Sequence, residues 1–166
     1  MFGGVVLDKL GYRPNVGIVL VNHHNQVFWA KRANQMAWQF PQGGIQDGES
    51  TQQAMYRELM EEVGLNTQLV EILHHIQDWL YYDVPHDWIR KDEKDRFYRG
   101  QKQIWYLLRL LGRDHDIFLQ STSKPEFDDW RWVDYWHPLE EIVAFKKDVY
   151  RFVLSEFASI LGISPK

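Results

Sequence analysis

The segment from Glu49 to Val63, ESTQQAMYRELMEEV, constrains the chain most. Ser50 is a good helix N-cap, and Gln53 three residues later completes a capping box. Ala54, Met55, Leu59 and Val63 recur near the helical period and form one apolar stripe. Gly64 stands where a left-handed C-terminal cap residue is wanted. A helix over 49–63 marked in this way must lay its stripe against another layer, and the flanking sequence supplies strands for it.

Val16 to Val21 is a continuous apolar run of strand length. His23-His24-Asn25 reads as a turn and Gln26 to Lys31 as the partner strand of a hairpin. Gln68 to Ile76, Gln103 to Leu111 and Trp130 to Val133 are further strands. Gln35 to Gly44, rich in aromatics and glycine, reads as irregular, and the charged stretch Gln77 to Gly100 as a long, partly ordered loop. A short helix starts at Pro138 and a longer one runs from Lys147 to Leu161, with Val149, Phe152, Val153, Phe157 and Ile160 on one side. Strands interleaved with a central and a terminal helix predict an α/β fold. At 166 residues one domain is expected, over 11–160, with 1–10 as a loose N-terminal extension.

Composition narrows the chemistry. There is no cysteine, which excludes disulfides, thiolate metal sites and a cysteine nucleophile and fits a cytoplasmic protein. No apolar run approaches the roughly 20 residues of a membrane helix, and Asp8-Lys9 interrupts the only early apolar stretch, so no signal peptide is expected. A net charge of −4 argues against broad binding to DNA or other nucleic acid, so a polyanionic ligand would need a local basic patch. The seven histidines show no metal spacing and read as ordinary surface or core residues.

Glu58, Glu61 and Glu62 stand at i, i+3 and i+4 and share one helix face. Three like charges there repel, and a divalent cation would offset the repulsion. An all-oxygen set of this kind suits Mg²⁺ or Mn²⁺. Arg57, two turns after Glu49, is placed to pair with it and so hold the helix start against the preceding loop, in support of the ligands. The bland reading, a solvated acidic face, competes with a more specific pattern.

That pattern is Gly43, five residues, Glu49, seven residues, Arg57-Glu58-Leu59, one residue, Glu61-Glu62, one residue, Gly64-Leu65. It resembles the Nudix box, with every fixed position of 43–65 filled. The resemblance implies a Nudix fold, a mixed β-sheet sandwiched between helices, and a hydrolase in which water attacks phosphorus and a phosphoanhydride breaks. It implies metal ligation by Glu58, Glu61 and Glu62 with help from the Gly43 carbonyl, and Glu58 as candidate general base, assisted by Arg57 and Glu49. Mg²⁺ is the expected cation, with Mn²⁺ as the alternative.

Beyond the box, GYRPNVGIVL (11–20), WQFPQGGI (38–45), GQKQ (100–103), PEFD (125–128) and FKKDVYR (145–151) resemble the RNA pyrophosphohydrolases of that family, kin of the dinucleoside polyphosphate hydrolases. The likeness implies a 5′-triphosphorylated RNA or nucleotide polyphosphate substrate. It makes Glu126, otherwise a turn carboxylate after Pro125, an additional metal ligand. It pairs Arg32 with Phe145 around a base, since guanidinium and aromatic faces both stack on bases. Arg13, Lys31, Lys102 and Lys146 are candidate phosphate contacts, and Gln42 a further substrate contact. A regulatory protein partner, such as an epimerase, is implied by the resemblance alone. The stretch WLYYDVPHDW (79–88) departs from the RNA enzymes, and its Tyr82-Asp83 resembles the dinucleoside tetraphosphate hydrolases instead. A noncatalytic nucleotide-binding module on the same scaffold is the reading of another class, but such a module should have lost box carboxylates.

Overall fold

The structure is a computed structural model that describes residues 7–88, 90–91 and 97–166. The strands among them are β1 (Tyr12–Val21), β2 (Val27–Arg32), β3 (Trp38–Gln39), β4 (Gln42–Gly44), β5 (Val70–His75), β6 (Leu80–Asp83), β7 (Arg90–Lys91), β8 (Phe97–Tyr98), β9 (Gly100–Leu110) and β10 (Phe127–Val133). The helices are α1 (Thr51–Val63), α2 (Pro138–Glu141) and α3 (Lys147–Leu161).

Among the described residues the main sheet runs β10-β2-β1-β9-β5, with β3 on β2, β4 on β1 and β6 on β9. It is mixed, because β1 and β9 are parallel while the other pairs are antiparallel. Strand periodicity divides the core. Val16, Ile18 and Leu20 of β1 face Ala54, Met55, Leu59 and Val63 of α1. Val19 and Val21 face the opposite layer, with Val149, Val153, Leu154 and Phe157 of α3. The sheet is therefore covered on both faces, as an α/β sandwich requires.

The caps of α1 fix its register. Ser50 Oγ accepts from Gln53 N at 3.1 Å, and Gln53 Oε1 accepts from Ser50 N at 2.9 Å. Gly64 closes the helix at φ 76°, a left-handed value that favours glycine. Glu49 lies just outside the helix, where it accepts from Gln46 N.

Several expectations are corrected. Gln35 to Gly44 is not wholly irregular: β3 and β4 pair with β2 and β1, and the Pro41 carbonyl accepts from Ile18 N at 3.0 Å between them. The stretch expected as a loop from Gln77 contains β6, whose residues pair one for one with the start of β9. Residues 89 and 92–96 of that stretch lie outside the described residues. On α3, Phe152 and Ile160 are exposed, and Tyr150, Leu154 and Ala158 complete the buried stripe. Residues 1–6 of the expected extension also lie outside the described residues. Leu7 is buried, and Asp8 accepts from Leu10 N and Tyr12 N.

Candidate functional site

β4 and α1 bring the glutamate-rich helix against the sheet at the N-terminal end of β1. Gly43 is the contact point. A Cβ at Gly43 would lie 1.9 Å from Glu58 Cδ, so only glycine allows β4 to approach this closely. Gly44 does the same for Arg13, whose guanidinium lies over its backbone. Replacing Gly43 with alanine is expected to push Glu58 aside and lower the kcat/KM of any turnover that depends on Glu58 by about 10²-fold, the cost of a displacement of about 1 Å. Steady-state kinetics beside a melting curve check this; unchanged kcat/KM in a folded variant would show that Gly43 does not set the position of Glu58.

Arg57 organises the helix start. Its Nε and Nη2 donate to the two oxygens of Glu49 at 2.7 and 2.8 Å, Nη2 donates to the Gly44 carbonyl at 2.8 Å, and Nη1 donates to Glu58 at 2.7 Å and Glu61 at 3.3 Å. One guanidinium thus ties loop, strand and two box glutamates together. Glu49 and then Glu58 hold the guanidinium's pKa above its ordinary value.

Glu58 and Glu62 are only 8% and 7% exposed, a placement carboxylates avoid unless partnered. Burial pushes the Glu58 carboxyl up, against the lowering effect of Arg57. Burial, then the charges of Glu58 and Glu126, push Glu62 well above the usual range. Glu62 Oε2 is buried with no hydrogen-bond partner. An orphaned carboxylate oxygen beside a second raised carboxyl fits a divalent cation: the donors are all oxygen, and a cation would supply the missing partner.

Among the described residues no three acidic or histidine side chains already form a complete ion cage. Glu61 is drawn to Arg57, and Glu126 to Arg32 at 3.7 Å. Both carboxylates are nearly half exposed, at 45% and 44%, so these pairs are worth about 0–1 kcal/mol or less and can yield to a cation.

The cleft beside the carboxylates encloses about 450 Å³. Arg13, Arg32, Gln42, Gly43, Glu58, Glu62, Glu126, Phe145 and Lys146 line it. Burial pushes the Lys146 ammonium down to about 8, with the Arg32 charge adding to the effect. Its Nζ donates to Gln39 Oε1 at 3.3 Å. Lys31 and Lys102, expected at the substrate, do not line the cleft. Lys31 pairs with Asp128 at 2.7 Å and Lys102 with Asp8 at 3.3 Å. The strand period explains Lys102: it faces the opposite side of β9 from Gln101 and Gln103. Glu49 and Glu61 also lie off the lining, joined to it through Arg57.

The cleft also contains Asn15, Gln39, Tyr82, Tyr98 and Gln101. Of these, Asn15, Tyr98 and Gln101 are not legible as site residues in the sequence. The available signal is the polar alternation Gln101, Gln103 at the start of an otherwise apolar central strand. The Gln101 amide nitrogen donates to the Tyr98 hydroxyl at 3.2 Å, and Oε1 is buried without a partner.

The family model of the NUDIX domain matches residues 11–153, which include the box and every cleft residue named above. The chain belongs to the Nudix family. It is a Nudix hydrolase acting on phosphoanhydride bonds, chemistry that in this family runs with a divalent metal. The fold is shared with solved Nudix structures. The dihydroneopterin triphosphate pyrophosphohydrolase of E. coli superposes with a TM-score of 0.67 at 16% identity, over 86% of this chain and 97% of that one. An Ap4A hydrolase of C. elegans, solved as a binary complex, gives 0.65 at 19% identity, over 90% and 98%. The NUDIX domain of Shewanella oneidensis NrtR, complexed with ADP ribose, gives 0.58 at 18% identity, over 90% and 88%. At these identities the likeness is one of fold. Among the described residues no helix is long and apolar enough to cross a membrane.

Proposed function

We propose that the protein is an RNA 5′-pyrophosphohydrolase that works with Mg²⁺, releasing pyrophosphate from a 5′-triphosphate end and leaving the 5′-monophosphate that opens a transcript to decay. One observation carries the reading. Three of the segments outside the box that resemble the RNA enzymes, GQKQ, PEFD and FKKDVYR, send Gln101, Glu126 and Phe145-Lys146 into the same cleft as Glu58 and Glu62.

The chain's own residues divide the work. Arg13, Arg32 and Lys146 supply positive charge to the triphosphate in a cleft whose other charged lining residues are Glu58, Glu62 and Glu126. Phe145, with the Arg32 guanidinium, offers flat faces to a base, at about 1–3 kcal/mol per stacked base. Glu58 accepts a proton from the attacking water; the oxygen of that water forms the new bond to phosphorus as the bond to the leaving pyrophosphate breaks. Arg57 keeps Glu58 in position, and Glu49 keeps Arg57 in position. Glu58, Glu62, Glu61, Glu126 and the Gly43 carbonyl would hold the cation, which when bound neutralises phosphate charge and lowers the pKa of water. Catalysis is then positioning plus electrostatics.

A second reading, hydrolysis of a dinucleoside polyphosphate, is favoured by Tyr82. It belongs to the segment that departs from the RNA enzymes, lines the cleft, and lies 5.8 Å from Phe145 between ring centroids. Tyr82 is itself buried, so its ring backs Phe145, while its segment carries the likeness to the dinucleotide enzymes. Measuring kcat/KM on 5′-triphosphorylated RNA and on diadenosine tetraphosphate decides between them. We expect at least about tenfold preference for the RNA, roughly 1.4 kcal/mol at the transition state; a preference for the dinucleotide would replace the first reading with the second.

A further inference from the structure

Gln103 is fully buried in the central strand, and every polar atom of its side chain is engaged. Its Oε1 accepts from Trp105 Nε1 at 3.0 Å, and its Nε2 donates to Asn15 Oδ1 at 2.8 Å and Gln42 Oε1 at 3.4 Å. Gln42 Nε2 in turn donates to the Tyr82 hydroxyl at 3.5 Å. An indole N–H can only donate. Trp105, itself fully buried, therefore fixes which end of the Gln103 amide faces it. With that end fixed, turning over Gln42 or Asn15 would set two amide nitrogens against each other. Gln42 must present Oε1 to Gln103 and keep Nε2 for Tyr82, and Asn15 keeps only Nδ2 donors for any other partner. The Tyr82 oxygen accepts from Gln42, so its proton is left for the cleft. Burial pushes the Tyr82 pKa up, so the hydroxyl keeps that proton through the neutral range.

We propose that Gln103 is a positioning residue: the donor-only indole of Trp105 sets the direction of a relay through Gln103 and Gln42 to Tyr82, so that Tyr82 donates a hydrogen bond to an oxygen that can only accept. Phosphoryl oxygens are such acceptors, and the inference rests on the phosphate-binding reading of the cleft. The relay gives the wall a fixed donor polarity without adding charge beside the box carboxylates. The outer links, at 3.4 and 3.5 Å, are its compliant end, and they hold their direction because the reverse one is repulsive.

A double-mutant cycle on binding tests it. The probe is a methylene-bridged, non-hydrolysable nucleoside triphosphate, titrated calorimetrically with Mg²⁺ present, with melting curves on every variant. Losing a hydrogen bond to a charged ligand, Tyr82→Phe should weaken Kd about tenfold. Gln103→Met should weaken it about fivefold, and the double variant should be no weaker than Tyr82→Phe alone, because the relay acts through that hydroxyl. Gln42→Met cuts the same chain at a half-buried position and gives the same pattern if Gln103→Met fails to fold. Losses that multiply to about 50-fold in the double variant, or an unchanged Kd in folded Gln103→Met, would overturn the relay while leaving the phosphate site intact. Failure of the wild-type protein to bind the probe would instead overturn the phosphate reading on which the relay rests.

Discussion

Replacing Glu58 with glutamine is expected to lower kcat by about three orders of magnitude while leaving the melting temperature unchanged or slightly raised. The two halves of this expectation have one cause. Glu58 is buried next to Glu62, and burial already pushes its carboxyl up in the metal-free protein. Glutamine keeps the shape, can still meet Arg57 through its carbonyl oxygen, and removes a buried charge. What is lost is an anionic oxygen able to bind a cation or take a proton from water, and neither function has a substitute at that position. Glu62 cannot replace it, since its own carboxyl is held still higher by burial and by Glu58 and Glu126. A kcat within tenfold of wild type would remove Glu58 from the chemistry. A collapse in melting temperature would make its role structural.

Removing divalent cations with EDTA is expected to abolish turnover, with a residual rate below about 10⁻³ of the Mg²⁺ value. Chelation should also lower stability, in a pH-dependent way whose sign follows from the same two carboxyls. Their folded pKa values lie above the ordinary value of 4.5. Between 4.5 and the folded values the metal-free native state binds more protons than the unfolded chain, so its stability falls as pH rises through that window. A cation needs the deprotonated ligands, so it restores more stability the higher the pH. At [Mg²⁺] about 100 times Kd the gain is about 2.7 kcal/mol, or several degrees for a chain of this size. The difference in melting temperature between Mg²⁺ and EDTA should therefore widen from pH 5 to pH 8. A difference that is absent, or that shrinks with pH, would contradict a cation on Glu58 and Glu62.

What the sequence made legible was local. Helix α1 is specified by Ser50, Gln53 and Gly64 within one stretch of chain, and its two faces are marked by apolar and acidic periodicity, so its caps and its box can be read without knowing the sheet. Strand β6 was hidden because among the described residues it pairs only with β9, and because charged residues surround it in sequence. The ladder depends on residues 17 to 23 positions away, which no local pattern reports. The same holds inside the cleft. In sequence Arg13, Arg32 and Lys146 are substrate-contact candidates on the same footing as Lys31 and Lys102, and only the third dimension separates the first three from the last two. Asn15 and Gln103 read as polar interruptions of strands until the parallel register of β1 and β9 sets them side by side.

The most direct test of the account is anomalous diffraction from a crystal soaked in Mn²⁺. A peak bounded by the carboxylates of Glu58 and Glu62 and the Gly43 carbonyl, at the wall of the cleft, is the predicted result. A cleft with no peak at a Mn²⁺ concentration that supports turnover, or a peak only on outward-facing carboxylates such as Glu140 or Asp148, would contradict it.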